Sequence, residues 1–546
     1  MRGGVTGIGN KAFVSCVSLV SITLPHSLKR ICDEAFQNCE SLASIEIPDS
    51  VTYIGDEAFA NCTSLTNIIM RGGVTGIGNK AFASCESLVS ITLSSCLKHI
   101  WDEAFKSCKS LTNITLPKGI TRISPNSFAA CRSLASISIP DSVTRIDNGA
   151  FDGCSSLVNI TIPDSVTSIG NRAFGYCMSL ASIEIPDSVM SIGSFAFIAC
   201  TSLTNITIPD SVSSIGEGAF TFCNSLVSIT RPCCPKRIWY RAFRDCGSLT
   251  SIEIPDSVTA IGDEAFASCT SLTNITIPDS VSSIGKGAFS GCESLVSVKI
   301  PHGVVRIGDG AFQDCKSLAS IEIPDSVMSI GDKAFKSCKS LKNIIMRDGV
   351  TSIGVHAFAS CVSLVSITLS SCLKHIGDGA FEKCGSLTKI KIPGSVTSIG
   401  DKAFKSCKSL KNIIMRDGVT SIGETAFRGC DSLTSIELPD SITSIGDGAF
   451  VRCKSLKNIT LPNGVARIGS GTFAVCCSLK SITIPDGVTS IEDNAFKSCS
   501  SLANIEIPSS VTSIGNGAFY ECKSLNKDVR DEIAQRFGSD VFKSIF

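Results

Sequence analysis

The sequence predicts an α/β repeat solenoid, in which short turns of chain stack on one another around a shared interior. Two observations predict this fold. Phenylalanine recurs every 23 residues from Phe13 to Phe519 without insertion or deletion, and the 23 letters of Asp332–Gly354 return unchanged as Asp401–Gly423. A fixed period of this length is the sequence signature of a repeat architecture. We therefore predict about 23 repeats of 23 residues rather than several globular domains.

Other positions of the repeat are equally regular. Cysteine follows each of these anchor phenylalanines by three residues, leucine follows it by six, and isoleucine precedes it by five. The unit reads approximately I-x-I-P-D-S-V-T-S-I-G-D-x-A-F-x-x-C-x-S-L-x-x. One unit cannot fold alone, because ordering its backbone costs more free energy than its few inward side chains return. Stacked units bury their apolar faces against both neighbours.

The first half of the unit predicts two short extended segments. Apolar and polar residues alternate over Asn274–Ile277, which is strand periodicity. Pro278 ends this strand because proline has no N–H group for further pairing. Val281 and Ile284 return to the interior as a second short segment, and Gly285 marks a tight bend.

The second half of the unit predicts the convex side, built from short turns, short strands or single helical turns. Ala288, Phe289 and Cys292 are spaced like one turn of helix. Asp or Asn stands three residues before many anchors, as at Asp56 and Asp332, and would cap such a turn.

The motif L-x-x-I-x-I within this unit is the leucine-rich-repeat signature. Its finer form, I-P-D-S-V-T-S-I-G-D-x-A-F-x-x-C-x-S-L, resembles the BspA-type branch of that family over residues 1–525. The resemblance implies a right-handed solenoid with a parallel concave β-sheet. It also implies a surface or secreted protein of the kind that bacteria and protists use to bind host or matrix proteins.

We expect two domains, a solenoid of residues 1–525 that starts within a repeat and a helical cap of residues 526–546. In the tail, Val529, Ile533 and Phe537 form an apolar stripe of helical spacing, and Gly538 is a helix stop. The alternative is that this helix docks a partner.

Twenty-nine cysteines raise the question of metal or disulfide chemistry. No C-x-x-C pair occurs and the five histidines are scattered, so we expect no metal site. The column of 23 equivalent cysteines, Cys16 to Cys522, offers no pairing rule for disulfides. We predict that it fills the interior as free thiols, which fits a reducing compartment.

Composition and pattern exclude several functions. Net charge is zero, which gives no general reason to expect nucleic-acid binding. No apolar run is long enough for a membrane helix. Polar residues near the anchors recur in every repeat, whereas an active site is a singular constellation. We expect no enzymatic activity, no catalytic residue and no cofactor.

The outward strand positions are the main candidate for binding. Serine or asparagine stands eight residues after nearly every anchor, and threonine or glutamate is frequent two positions later. One interpretation is solubility and hydrogen bonding between repeats; the other is an extended ligand-binding face. The binding candidates on this face are Glu184, Asn205, Glu253, Asn274 and Glu322.

A second candidate is a basic and aromatic cluster in one deviant repeat. The only two tryptophans, Trp101 and Trp239, each replace the usual glycine and lie six repeats apart. A cluster of this kind would bind an acidic partner or a glycan, unless the repeat is simply a tolerated variant. The cluster around the second tryptophan is Lys236, Arg237, Trp239, Tyr240, Arg241 and Arg244.

These observations predict a non-enzymatic protein-interaction scaffold that binds a macromolecular partner along the solenoid face. The family resemblance favours surface adhesion, with a protein or glycan as partner. The alternative is an intracellular structural or assembly subunit of a larger complex. The free-cysteine column and the absence of a visible signal peptide favour the intracellular alternative, and the resemblance favours the cell surface.

Overall fold

The computed structural model describes residues 4–230 and 237–544, in which the chain forms a succession of parallel-strand turns. The chain divides into two compact units. Unit 1 comprises Met1–Val258 and Ala265–Leu272, and unit 2 comprises Thr259–Glu264 and Thr273–Phe546. Each repeat contributes one strand to a short-strand series, and most repeats contribute another to a long-strand series.

The short strands are two residues long and end on the isoleucine that lies five positions before the anchor phenylalanine. In unit 1 they are Gly7–Ile8, Arg30–Ile31, Tyr53–Ile54, Gly76–Ile77, His99–Ile100, Arg122–Ile123, Arg145–Ile146, Ser168–Ile169, Ser191–Ile192, Ser214–Ile215 and Arg237–Ile238. In unit 2 they are Ala260–Ile261, Ser283–Ile284, Arg306–Ile307, Ser329–Ile330, Ser352–Ile353, His375–Ile376, Ser398–Ile399, Ser421–Ile422, Ser444–Ile445, Arg467–Ile468, Ser490–Ile491 and Ser513–Ile514.

The long strands have two to four residues and begin eight positions after the anchor. In unit 1 they are Ser44–Ile47, Asn67–Met70, Ser90–Thr92, Asn113–Thr115, Ser136–Ser138, Ser182–Glu184, Asn205–Thr207 and Ser228–Thr230. In unit 2 they are Asn274–Ile275, Ser297–Val298, Ser320–Ile323, Asn343–Met346, Ser366–Thr368, Lys389–Ile392, Asn412–Met415, Asn458–Thr460 and Ser481–Thr483.

Strands of consecutive repeats pair in parallel, and each residue faces its equivalent in the next repeat. In unit 1, Ile31 pairs with Ile54 in the short series and Ile45 pairs with Ile68 in the long series. Unit 2 shows the same register. Because the period never varies, this register places identical side chains in columns along each unit.

Inward and outward residues alternate along the long strands as the sequence predicts. In Ser44–Ile47, Ile45 and Ile47 are buried and the residues between them are exposed. The serine of the following Pro-Asp-Ser turn also ties two repeats together. Ser165 donates its hydroxyl to the carbonyl of Val143 at 2.6 Å, and Ser188 does the same to Val166.

The prediction of a single helical turn around the anchor is wrong, since this segment consists of tight turns. The residues two before and two after the anchor have left-handed backbones, for example Glu34 at φ 56° and Asn38 at φ 59°. A right-handed helix cannot include such residues. Their N–H groups, at 2.8 Å from Asp56 O and Ala60 O, point to the next repeat. The segment therefore exchanges helical bonds for bonds between repeats.

The aspartate or asparagine three residues before the anchor links repeats instead of capping a helix. Asp332 accepts the backbone N–H of Val355, its equivalent in the next repeat, at 2.7 Å, and its own N–H donates to Asp309 at 3.1 Å. Asn148 accepts the N–H of Asn171 at 2.8 Å, so an amide oxygen serves as well as a carboxylate. The predicted capping role is thus wrong because there is no helical turn to cap.

The anchor phenylalanines form a stack in the interior of each unit. In unit 1 the ring centroids of neighbours lie 5.0 to 5.6 Å apart, beginning with Phe13 and Phe36. In unit 2 the spacing is 5.2 to 5.6 Å from Phe289 to Phe519. Rings at this spacing are in contact and exclude water from the centre of each repeat.

Beyond the last repeat, helix α1 spans Lys527–Phe537, and a 3-10 turn follows over Ser539–Phe542. Gly538, with φ 86°, ends the helix. Arg536 donates to the carbonyls of Ile507 and Pro508 at 2.8 and 3.0 Å. The division into a solenoid of residues 1–525 and a cap of residues 526–546 stays a prediction, and these contacts support it.

The predicted fold class is confirmed: the protein is a parallel-strand repeat solenoid with little helix.

We expect Asp332→Ala to weaken the contact between two repeats, because the N–H of Val355 loses its acceptor. An unmade bond of this kind costs about 1–3 kcal/mol. Hydrogen exchange at the Val355 amide should accelerate at least about tenfold. Asp332→Asn is the control and should leave exchange nearly unchanged. Equal acceleration in both variants would contradict the linking role.

Candidate interaction surface

The outward residues of the long strands form a mostly polar surface, which we call the long-strand face. Its two columns are the residues eight and ten positions after each anchor. Serine and asparagine of the first column bond to each other across repeats. Ser228 donates to Asn205 Oδ1 at 2.8 Å, and Ser366 donates to Asn343 Oδ1 at 2.9 Å. This column therefore contributes to stacking as well as to the surface.

The structure brings two of the predicted binding residues together in unit 1. Glu184 and Asn205 are exposed on adjacent strands, where Glu184 faces Thr207 and Asn205 faces Ser182. In unit 2, Asn274 is exposed, and Glu322 lies two repeats further along. Glu322 is engaged by Arg347, whose guanidinium donates to it at 2.6 and 2.8 Å. That pair raises the pKa of the Arg347 guanidinium.

Sequence reasoning missed a set of exposed apolar residues at the edge of this face. In unit 1, Val89, Val158 and Val227 precede their long strands and are 42 to 47% exposed. They lie 69 residues apart, which is every third repeat. The period of 69 residues also separates the two identical segments, and this period could have revealed them.

The cluster around Trp239 is partly described. Lys236 lies outside the described residues, and of Arg237 only the backbone is described, within the strand Arg237–Ile238. The guanidinium of Arg241 lies 4.4 Å from the ring centroid of Tyr240, and Arg244 is 3.1 Å from the carboxylate of Asp245.

Trp239 is 42% exposed, and its indole lines an apolar pocket within unit 1. Glu253, predicted separately as a face residue, lines the same pocket. The structure thus brings these two candidates together. Trp101 is 41% exposed and stacks against His99 with ring centroids 5.5 Å apart. Both tryptophans remain candidates for binding.

The column cysteines are buried hydrogen-bond donors. The thiol of Cys131 donates to the carbonyl of Phe105 at 3.1 Å, and that of Cys361 donates to Phe335 at 3.2 Å. Burial raises the pKa of each of these thiols to about 12. Since only the thiolate is a strong nucleophile or metal ligand, these cysteines are chemically inert in the folded protein. All cysteines that the structure describes are free.

Within residues 4–230 and 237–544, no group of three or more His, Cys, Asp or Glu side chains is placed to hold a metal ion. The helices of the described chain include none that is long and apolar enough to cross a membrane.

The stacked parallel strands and the repeated outward columns define a leucine-rich-repeat solenoid. The sequence matches the BspA-type leucine-rich repeat region over residues 6–135, 121–246, 236–347, 306–434 and 420–545. The chain belongs to this family, as its motifs indicate. No curated protein matches the sequence.

Solved structures give the same fold. A leucine-rich repeat protein from Bacteroides ovatus is 32% identical, with a TM-score of 0.55, over 65% of this chain and 88% of that one. A leucine-rich cell surface protein from Faecalibacterium prausnitzii is 26% identical over 80% of this chain and 91% of that one, with a TM-score of 0.23. A leucine-rich repeat protein from Eubacterium ventriosum is 25% identical over 50% and 83%, with a TM-score of 0.39.

The raised thiol pKa values predict that stability falls in alkali. A thiol with a higher pKa when folded contributes stability that is complete below its unfolded pKa and is lost as pH rises towards about 12. In this range each such thiol costs about 1.4 kcal/mol per pH unit. We expect the urea midpoint to fall steeply between pH 9 and pH 11 ("about" two pH units).

The control is a Cys131→Ala, Cys361→Ala variant, which should be less stable at neutral pH but show a shallower pH dependence. An unchanged slope would show that these thiols do not carry the effect.

Proposed function

We propose that this protein is a non-enzymatic interaction scaffold that binds a macromolecular partner along its long-strand face. The observation that carries the proposal is the division of labour within each repeat. Inward residues, turn backbones and the buried thiols are occupied by contacts between repeats, whereas the residues ten positions after each anchor project outward in a fixed register. Solenoids commonly bind through such extended surfaces.

The composition of the face supports binding through many modest contacts. Glu184 and Asn205 offer a carboxylate and an amide on adjacent strands. Val158 and Val227 add exposed apolar area beside them. Few aromatic or arginine side chains, which commonly dominate binding energy, lie among these columns. A partner would therefore contact several repeats at once.

The Trp239 cluster is the second part of the proposed surface. An exposed indole beside the Tyr240 and Arg241 pair offers stacking and cationic contacts together. Such a combination suits an acidic protein segment or a glycan. Trp101 is the matching position six repeats earlier in the chain.

The proposal excludes catalysis on the same physical ground as the sequence. The polar side chains recur in register from repeat to repeat, so none of them forms a singular acid, base or nucleophile. The thiols, the strongest nucleophiles available, are held in the protonated form by burial.

The family resemblance favours adhesion at a cell surface. The free cysteines favour a second candidate, an intracellular structural subunit of a larger complex, because thiols persist in reducing compartments. Thiol labelling of protein isolated from its native source, after denaturation, separates the two. Near-complete labelling is expected for the intracellular subunit, and extensive disulfides would contradict it.

Affinity capture from native extract tests the use of the long-strand face. We expect the Glu184→Lys, Asn205→Lys variant to lose partners that the unaltered protein retains, because both residues are exposed on this face. Trp239→Ala, Arg241→Ala should lose them too if the cluster contributes.

The matched control is Glu217→Lys, Met190→Lys. It makes the same total charge change at exposed residues outside the long strands, and Met190 is 61% exposed. It should retain the partners. Identical partner lists for the face variant and the unaltered protein would overturn the proposal.

A further inference from the structure

The two identical segments, Asp332–Gly354 and Asp401–Gly423, lie in different electrostatic surroundings. Each is preceded by a long strand whose outward residues differ. Before the first copy this strand is Ser320–Ile323, with an acidic residue, and before the second it is Lys389–Ile392, with two lysines. The pair is thus a natural comparison of one surface with two neighbours.

In the first copy the arginine is neutralised. Arg347 donates to Glu322 at 2.6 and 2.8 Å, and Ile345 of the same strand pairs directly with Glu322. Unit 1 repeats this arrangement, where Arg71 lies 2.8 Å from Glu46. The residue 25 positions before the arginine is glutamate in both cases.

In the second copy the acidic partner is replaced by a base. Arg416 is the equivalent arginine, and Lys391 occupies the position of the glutamate. Gly394 also replaces the aspartate that follows two residues later in the first copy, Asp325. Within the described part of unit 2, no ion pair forms with Arg416, although Asp417 is its neighbour in the chain.

The surrounding residues extend this cationic patch. Lys389 and Lys391 point outward from one strand, and Lys389 pairs with Asn412 of the next. Lys411 precedes Asn412 and is exposed. The patch is therefore Lys389, Lys391, Lys411 and Arg416, with Asp417 and Glu437 as the acidic residues nearest to it along the neighbouring strands.

An exposed apolar side chain lies within the patch. Ile414 pairs directly with Lys391 and is 58% exposed. Phosphate and sulfate groups would satisfy the cations but leave this side chain without a contact. No aromatic residue belongs to the patch, so stacking with nucleic-acid bases has no platform here. A peptide supplies carboxylates and apolar side chains together.

We propose that the patch of Lys389, Lys391, Lys411 and Arg416, with Ile414, binds an extended acidic peptide segment of a partner protein. Alternate residues of an extended peptide are about 6.6–6.8 Å apart, which matches the spacing of Lys389 and Lys391 along their strand. Carboxylates on alternate residues therefore reach successive cations, and an apolar residue between them contacts Ile414. This inference rests on the proposed use of the long-strand face and names the partner's chemistry.

The test is the binding of a fluorescein-labelled peptide, ESELESE, to the full chain, followed by fluorescence anisotropy at low salt because salt screens exposed charges. Lys391→Glu should weaken binding at least about tenfold (about 1.4 kcal/mol). This variant rebuilds the arrangement that Glu322 and Arg347 already adopt, so we expect it to fold. Ile414→Ser should weaken binding about threefold (about 0.65 kcal/mol).

Lys383→Glu is the matched control, since it makes the same charge change in the same repeat at an exposed residue of the turn segment. Glutamate already occupies the equivalent left-handed position at Glu521, with φ 61°. Binding to this variant should stay within about twofold of the unaltered protein. Equal weakening by both charge reversals, or equal binding of the neutral peptide QSQLQSQ, would overturn the proposal.

Two competitors decide the class of partner. A sulfated glycan or a single-stranded oligonucleotide that binds more tightly than the peptide, without dependence on Ile414, would overturn the peptide assignment. The capture experiment on Glu184 and Asn205 concerns unit 1, so its outcome is separate. Loss of peptide binding alone would leave the scaffold proposal standing.

Discussion

The invariant 23-residue period is the constraint on which the rest of the structure depends. Parallel pairing at constant register requires that each repeat return every backbone N–H to the same height as its neighbour's carbonyl. A single inserted residue would shift the alternation of a strand and move its buried side chains to the surface. The columns of phenylalanine, cysteine and aspartate are consequences of this register, because equivalent residues meet in consecutive repeats.

Side chains in these columns serve the contact between repeats more than the fold of one repeat. The thiol of Cys131 donates to Phe105, 26 residues earlier, and Asp332 accepts from Val355, 23 residues later. Such bonds have no partner within a single unit. Literal copying, as in Asp332–Gly354 and Asp401–Gly423, preserves both members of each bond at once. Duplication thus lengthens the chain without any need for new complementary contacts.

Much of the fold could be predicted from sequence, since periodicity reports burial directly. The alternation in Asn274–Ile277, the second short segment at Ile284 and the helix stop at Gly538 follow from local rules. The turns around the anchors could not be predicted, because residues such as Glu34 take a left-handed backbone that only the bonds to the next repeat stabilise. The cationic patch was missed because it depends on which repeat precedes a given copy.

The most direct test of the account compares two deletions by hydrogen exchange. Removing Asp401–Gly423 takes away one whole period, so Gly400 joins Glu424 in unchanged register, and we expect the flanking repeats to keep their protection. Removing Asp401–Lys411 takes away about half a period and should abolish protection in those repeats. Equal protection in both chains would contradict the claim that register between repeats, and not the content of each repeat, holds the protein together.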